Sequence, residues 1–139
     1  MGRYIEIADQ SALDAFFKEY DSFHDWEIKE VRVIDHTCFG SEKKFMGDTG
    51  DALQLRIHES NQKLSPVEVL MVGVLKMETL ETGNIINAVG NISENVVFEK
   101  TVIIHFDNEM FECRKLFYGI RPEWKTLGGF LGPDLPEGL

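Results

Sequence analysis

Apolar positions near the start of the chain form one helical stripe. Leu13, Phe16, Phe17 and Tyr20 fall at i, i+3, i+4 and i+7 with Asp14, Lys18 and Glu19 elsewhere, the spacing that turns one face of an α-helix toward a core. Asp9 or Ser11 starts that helix, and Ser11-x-x-Asp14 has the form of a capping box. Tyr4, Ile5 and Ile7 ahead of it predict a short strand. Farther along, a period of two takes over. Leu53, Leu55 and Ile57 alternate with Gln54, Arg56 and His58, which predicts a half-buried strand over 52–58. Residues 67–80 are apolar on both parities in their middle, as in a central strand buried on two faces, and Gly73 inside them marks a bend or a close approach. Residues 101–106 and 110–118 predict two strands joined by the hairpin-sized connection Asp107-Asn108-Glu109.

The stretch after the helix breaks the pattern. Trp26 and Ile28 have even parity, whereas Val31 and Val33 have odd parity. Side chains on a strand alternate faces, so one regular strand cannot bury both pairs on one side. A bulge near Lys29-Glu30, or a strand that begins only at Glu30, resolves the conflict. Residues 36–50 are loop-like, with Gly40, Gly47 and Gly50 among polar residues. Residues 82–95 are ambiguous: Asn84 is placed to cap a short helix containing Ile85, Ile86, Val89 and Ile92, while Gly90 and further asparagines oppose a helix. Residues 96–98 predict another short strand. The segment 121–139 is rich in proline and glycine and predicts an irregular tail, with Trp124 and Phe130 pinned to the body. Short connections favour antiparallel neighbours. The expected fold is therefore a single α+β domain over 1–139, a curved, mainly antiparallel sheet of about five to seven strands with one N-terminal amphipathic helix packed on it.

Length and charge narrow the classes of function. A chain of 139 residues is the size of one ordinary domain. Its 14 Lys and Arg stand against 24 Asp and Glu, for a formal net charge of -10. Such a surface repels a phosphate backbone and argues against nucleic acid. It attracts a basic partner, with an attraction that weakens in salt. The start of the chain lacks the apolar run of a signal peptide, and the longest apolar run, 69–75, is too short to cross a bilayer. Cys38 and Cys113 belong to no C-x-x-C pair. Together these features predict a cytoplasmic protein without a membrane partner.

No catalytic or cofactor motif stands out. His36-x-Cys38 lacks the ligand count of a metal site, and no phosphate-cradling glycine pattern occurs. Neither a metal nor a cofactor is expected. Cys113, alternating with Phe111 and Phe117, reads as a buried, inert thiol. His24, His58 and His105 are separated in sequence. They are candidate polar groups only if the concave face of the sheet holds a ligand pocket.

The densest group of distinctive side chains is Phe23-His24-Asp25-Trp26, at the passage from helix to strand. Phe23 and Trp26 suit an anchor in the core, and His24 or Asp25 suits a hydrogen bond to backbone left open by the helix end. Phe23-His24-Asp25, followed by Glu27-Ile28 and Val31-x-Val33, resembles the FHD opening of a bacterial immunity-protein family of polymorphic toxin systems and of related small domains, with Trp26 in place of a small residue. In that family the motif precedes a run of antiparallel strands and a terminal hairpin, here matched by 69–75, 85–97 and 101–118. The resemblance implies a non-enzymatic protein that binds and masks a cognate toxin, and it leaves the roles of His24 and Asp25 open. The alternatives are a small-ligand-binding protein or enzyme using the concave face, and a structural subunit that forms a homodimer or larger homo-oligomer through a sheet edge.

Overall fold

A computed structural model describes residues 4–34, 52–61, 63–78, 83–85, 87–95, 99–122 and 124. The expected loop over 36–50, Cys38, the strand at 96–98 and Phe130 lie outside them.

The predicted helix is present as α1 (Gln10–Glu19). Asp9, not Ser11, caps it: the Asp9 carboxylate accepts from Ala12 N at 2.8 Å, satisfying one of the donors a helix start leaves open. Leu13, Phe16, Phe17 and Tyr20 are all buried, as their spacing requires. Around α1 the described residues form eight strands, β1 (Ile5–Ile7), β2 (Trp26–Ile34), β3 (Ala52–Glu59), β4 (Val67–Met77), β5 (Gly83–Asn84), β6 (Ala88–Asn95), β7 (Glu99–Phe106) and β8 (Glu109–Ile120). They join in one antiparallel sheet of order β5-β2-β3-β4-β8-β7-β6, with β1 added to β8. The α+β class, the curved sheet and the packed helix agree with the sequence. No described helix is long and apolar enough to cross a membrane.

The two ends of that order are neighbours in the chain, so the sheet curls until its ends approach. Ile85, just after β5, exchanges backbone hydrogen bonds with the start of β2: its N–H donates to Trp26 O at 2.8 Å and its carbonyl accepts from Asp25 N at 3.0 Å. Asn87, just before β6, accepts from Asp107 N and donates to Asp107 Oδ1 in the β7–β8 turn. Residues 83–84 and 88–95 thus form strands, and the short helix that Asn84 seemed placed to cap is not formed there. Gly90 has a packing reason to lack a side chain. A Cβ there would sit 2.8 Å from Ile103 O and within 3.3 Å of Phe17 and Leu13, where α1 lies against β6.

The parity break in β2 is a bulge. Ile28 pairs with Ile57 but Glu30 pairs with Arg56, leaving Lys29 as the extra residue. Trp26 and Ile28 therefore share the core face with Val31. A second irregularity lies at Gly73, where φ is +67° and carbons of Arg114 lie 3.0 to 3.2 Å from a Cβ position. Glycine tolerates that conformation. There the inward set on β4 passes from Val67, Val69 and Met71 to Val74, and on β8 from Leu116 to Cys113 and Phe111. At the same place the outer edge of β8 changes partner: β7 pairs with it up to Cys113, and β1 takes over from Leu116.

The concave face is filled. Ring pairs link Phe16 to Phe17, Tyr20, Phe23 and Tyr118, with centroids 4.6–5.5 Å apart. The β7–β8 connection is shorter than expected, because Glu109 already pairs with Phe106 and Asp107 turns the chain at φ +57°. At the other end of β8, Arg121 N donates to Pro66 O and Trp124 N to Arg121 O, so the start of the tail is tied down with Trp124 buried.

Candidate functional site

The passage from α1 to β2 is a short left-handed turn. Asp21, Ser22 and Phe23 have φ of 51°, 52° and 55°, and Asp25 follows at 68°. L-residues avoid this region by about 1–2 kcal/mol each, aspartate less than the others. For a bulky residue such as Phe23 it is a true outlier. Backbone strain of this density persists only where surrounding contacts over-determine it. Here they do. Phe23 N donates to Tyr20 O and His24 N to Asp21 O, while Asp25 N donates to Ile85 O. The Asp25 carbonyl accepts from Ser60 Oγ in the β3–β4 connection.

The rings beneath the turn complete the clamp. Phe23 is fully buried. It stacks on Tyr20 at 5.3 Å and 3°, and meets Phe17 and Trp26 edge to face at 6.3 and 5.3 Å. Phe23 and Trp26 are the core anchors the sequence predicted. Tyr20 O and Asp21 O after the helix accept from Phe23 N and His24 N, and the side chains of His24 and Asp25 face outward, 56% and 79% exposed. Their polar atoms approach to 3.5 Å, His24 Nε2 to Asp25 Oδ2. Adjacent residues in an extended strand could not meet this way; the left-handed Asp25 brings them together. The site is a rigid turn presenting Asp21, His24 and Asp25 to solvent, with the exposed acids Asp14 and Glu19 on α1 beside it.

Of a second polar group, the sequence singled out only His58. Gln54, Arg56 and His58 do not face water, although they alternate with the core residues of β3; all three are buried. Across the sheet, Glu30 pairs in register with Arg56, Arg56 with Glu68 and Glu68 with Gly119. Arg121 folds its guanidinium back over Gly119, where a Cβ would clash at 2.5 Å. The result is a row of alternating charge, Glu30–Arg56–Glu68–Arg121. Arg121 Nε donates to Glu68 Oε1 at 2.8 Å, and Tyr4 Oη and Gln54 Nε2 donate to Glu68 Oε2 at 2.9 and 2.7 Å. Burial and the Glu68 charge push the Tyr4 hydroxyl up to about 12. The one available signal was Glu68 itself, a carboxylate set between valines in a strand that reads as buried on both faces.

His58 ends this face with its Nε2 buried and without a hydrogen-bond partner. Burial lowers its pKa, with Arg56 and Lys29 adding to the effect and Glu27 opposing it. The unfolded chain thus binds the His58 proton at higher pH than the folded chain does. Stability is intact above the ordinary histidine value and falls as pH drops below about 6.5. Melting curves from pH 7.5 to 5.5 should show this decline, and a His58→Gln variant should show a shallower one.

The three histidines do not share a pocket on the concave face, which the aromatic core fills. His24 lies in the turn before β2, while β4 and β8 separate His58 on β3 from His105 on β7. Cys113 is buried in the core, its thiol pushed up to about 12 by that burial. Among the described residues no group of three or more His, Cys, Asp or Glu side chains is placed to hold a metal. Compared with known proteins, the chain matches no family model, no curated protein and no solved structure.

Proposed function

We propose that this protein is a non-enzymatic, acidic interaction module of the cytoplasm, of the immunity type, that binds and masks a basic protein partner. The observation that carries this reading is the left-handed turn, which holds Asp21, His24 and Asp25 outward at a cost in backbone strain. A preorganised turn loses little conformational entropy on binding. The net charge of -10 favours encounter with a basic surface. The resemblance of Phe23-His24-Asp25 to the immunity-protein opening points the same way.

The test is an affinity capture from the lysate of the source organism in low salt, using wild type and an Asp21→Asn/Asp25→Asn variant. Asparagine tolerates the left-handed region, so the variant should melt with wild type. Wild type should retain a basic protein that elutes with salt, and the variant should retain about tenfold less. Retention of no basic protein, or equal retention by both, would remove the basis for the reading.

A further inference from the structure

The bulge in β2 gathers charged side chains around one buried histidine. His58 on β3 stands directly across from Glu27 on β2, and Arg56 stands across from Glu30. These four side chains share the face of the sheet turned away from the aromatic core. Lys29, the extra residue of the bulge, reaches the same face, with Nζ 3.1 Å from Glu27 Oε1. His58 itself is 8% exposed, and its Nε2 is buried without a hydrogen-bond partner.

Arg56 and Lys29 oppose protonation of this ring, and Glu27 favours it. Arg56 is held by Glu30, Nε to Oε1 at 3.5 Å. On β4 the Glu68 carboxylate is taken by Tyr4, Gln54 and Arg121. A neutral imidazole suits the setting, because only one of its nitrogens donates. An imidazolium does not: both nitrogens donate, and the new charge sits beside two cations. Glu27 is the acid placed to meet both needs. Its pair with Lys29 is partly exposed, where such pairs are weak and easily exchanged.

We infer that β2 and β3 hold an acid-operated exchange, in which a proton taken up by the His58 ring draws the Glu27 carboxylate off Lys29 and onto the imidazolium. The ring gains one proton from solvent, no covalent bond between heavy atoms changes, and the Lys29 ammonium is released to water. Burial places the exchange on the acid side of the ordinary histidine value of about 6.5. A proton bound in the interior thus shows at the surface as a freed cation. The device does not depend on the function proposed above.

Heteronuclear NMR titration of the full chain from about pH 7.5 to 5 tests it. The His58 ring and the side-chain resonances of Glu27 and Lys29 should shift with one shared midpoint. In His58→Gln the Glu27 and Lys29 inflections at that midpoint should vanish. Glu27→Gln should move the His58 midpoint to lower pH, because the imidazolium loses its acceptor. Lys29→Met should move it to higher pH, because a repelling cation is gone. Both of those positions are partly exposed, so these two variants carry the test if His58→Gln does not fold. No His58 inflection above about pH 5, or Glu27 and Lys29 resonances that stay still while His58 titrates, overturns the inference. So does an inflection that persists in folded His58→Gln, or a His58 midpoint that Glu27→Gln fails to lower.

Discussion

Phe23→Ala is expected to destabilise the protein by about 3–5 kcal/mol, the range for truncating a fully buried ring. Phe23 has no exposed surface, and Phe16, Phe17, Tyr20 and Trp26 all pack their rings on it. Each such ring pair is worth about 0.5–1.5 kcal/mol beyond the area it buries. Alanine removes the ring and keeps the strain, because φ at this position is +55°. Glycine removes both. Phe23→Gly should therefore be no less stable than Phe23→Ala, the reverse of the usual order in regular structure. Chemical denaturation of both variants measures the loss and the order together. If alanine proves the better residue, the left-handed turn is not what holds this position.

Removing either member of the Glu68–Arg121 pair should have a comparable effect. Glu68 is 1% and Arg121 4% exposed, so each single truncation strands a buried charge. Such losses run to about 3–5 kcal/mol. Glu68→Ala also leaves the Tyr4 hydroxyl and the Gln54 amide without their acceptor. Arg121→Ala empties the space that Gly119 keeps clear. The pair shares one network, so the double variant Glu68→Ala/Arg121→Ala should lose clearly less than the sum of the two single changes. A double-mutant cycle by denaturant unfolding reads the coupling. Additive losses would mean that the two charges do not act on one another.

Much of the fold was legible because apolar spacing and its one interruption were both informative. The i, i+3, i+4, i+7 set from Leu13 to Tyr20 located the helix, and the clash of parity between Ile28 and Val31 called for a bulge near Lys29-Glu30 or a strand start at Glu30, of which the structure has the bulge. Residues 82–95 stayed ambiguous in the sequence for a physical reason. Asn84 and Gly90 carry the signals of a cap and a breaker, yet Gly90 is small because α1 approaches β6 there, a tertiary fact with no local trace. Gln54, Arg56 and His58 misled: alternation separates the two faces of a strand and does not say that one of them meets water. At the junction, Phe23, His24, Asp25 and Trp26 stood out by type. The left-handed backbone that orients them did not, since neither serine nor phenylalanine announces a positive φ as glycine would.

Ile85 and Asn87 have a consequence for how the molecule opens. A sheet with free ends loosens one strand at a time from each side, and its two margins exchange amide protons independently. Here Ile85 is bonded to the β2 margin and Asn87, two positions on, to the corner of β7 and β8. Loosening this short clasp releases both margins in one event, so the amides of Asp25 and Asp107, distant in sequence, belong to a single cooperative unit.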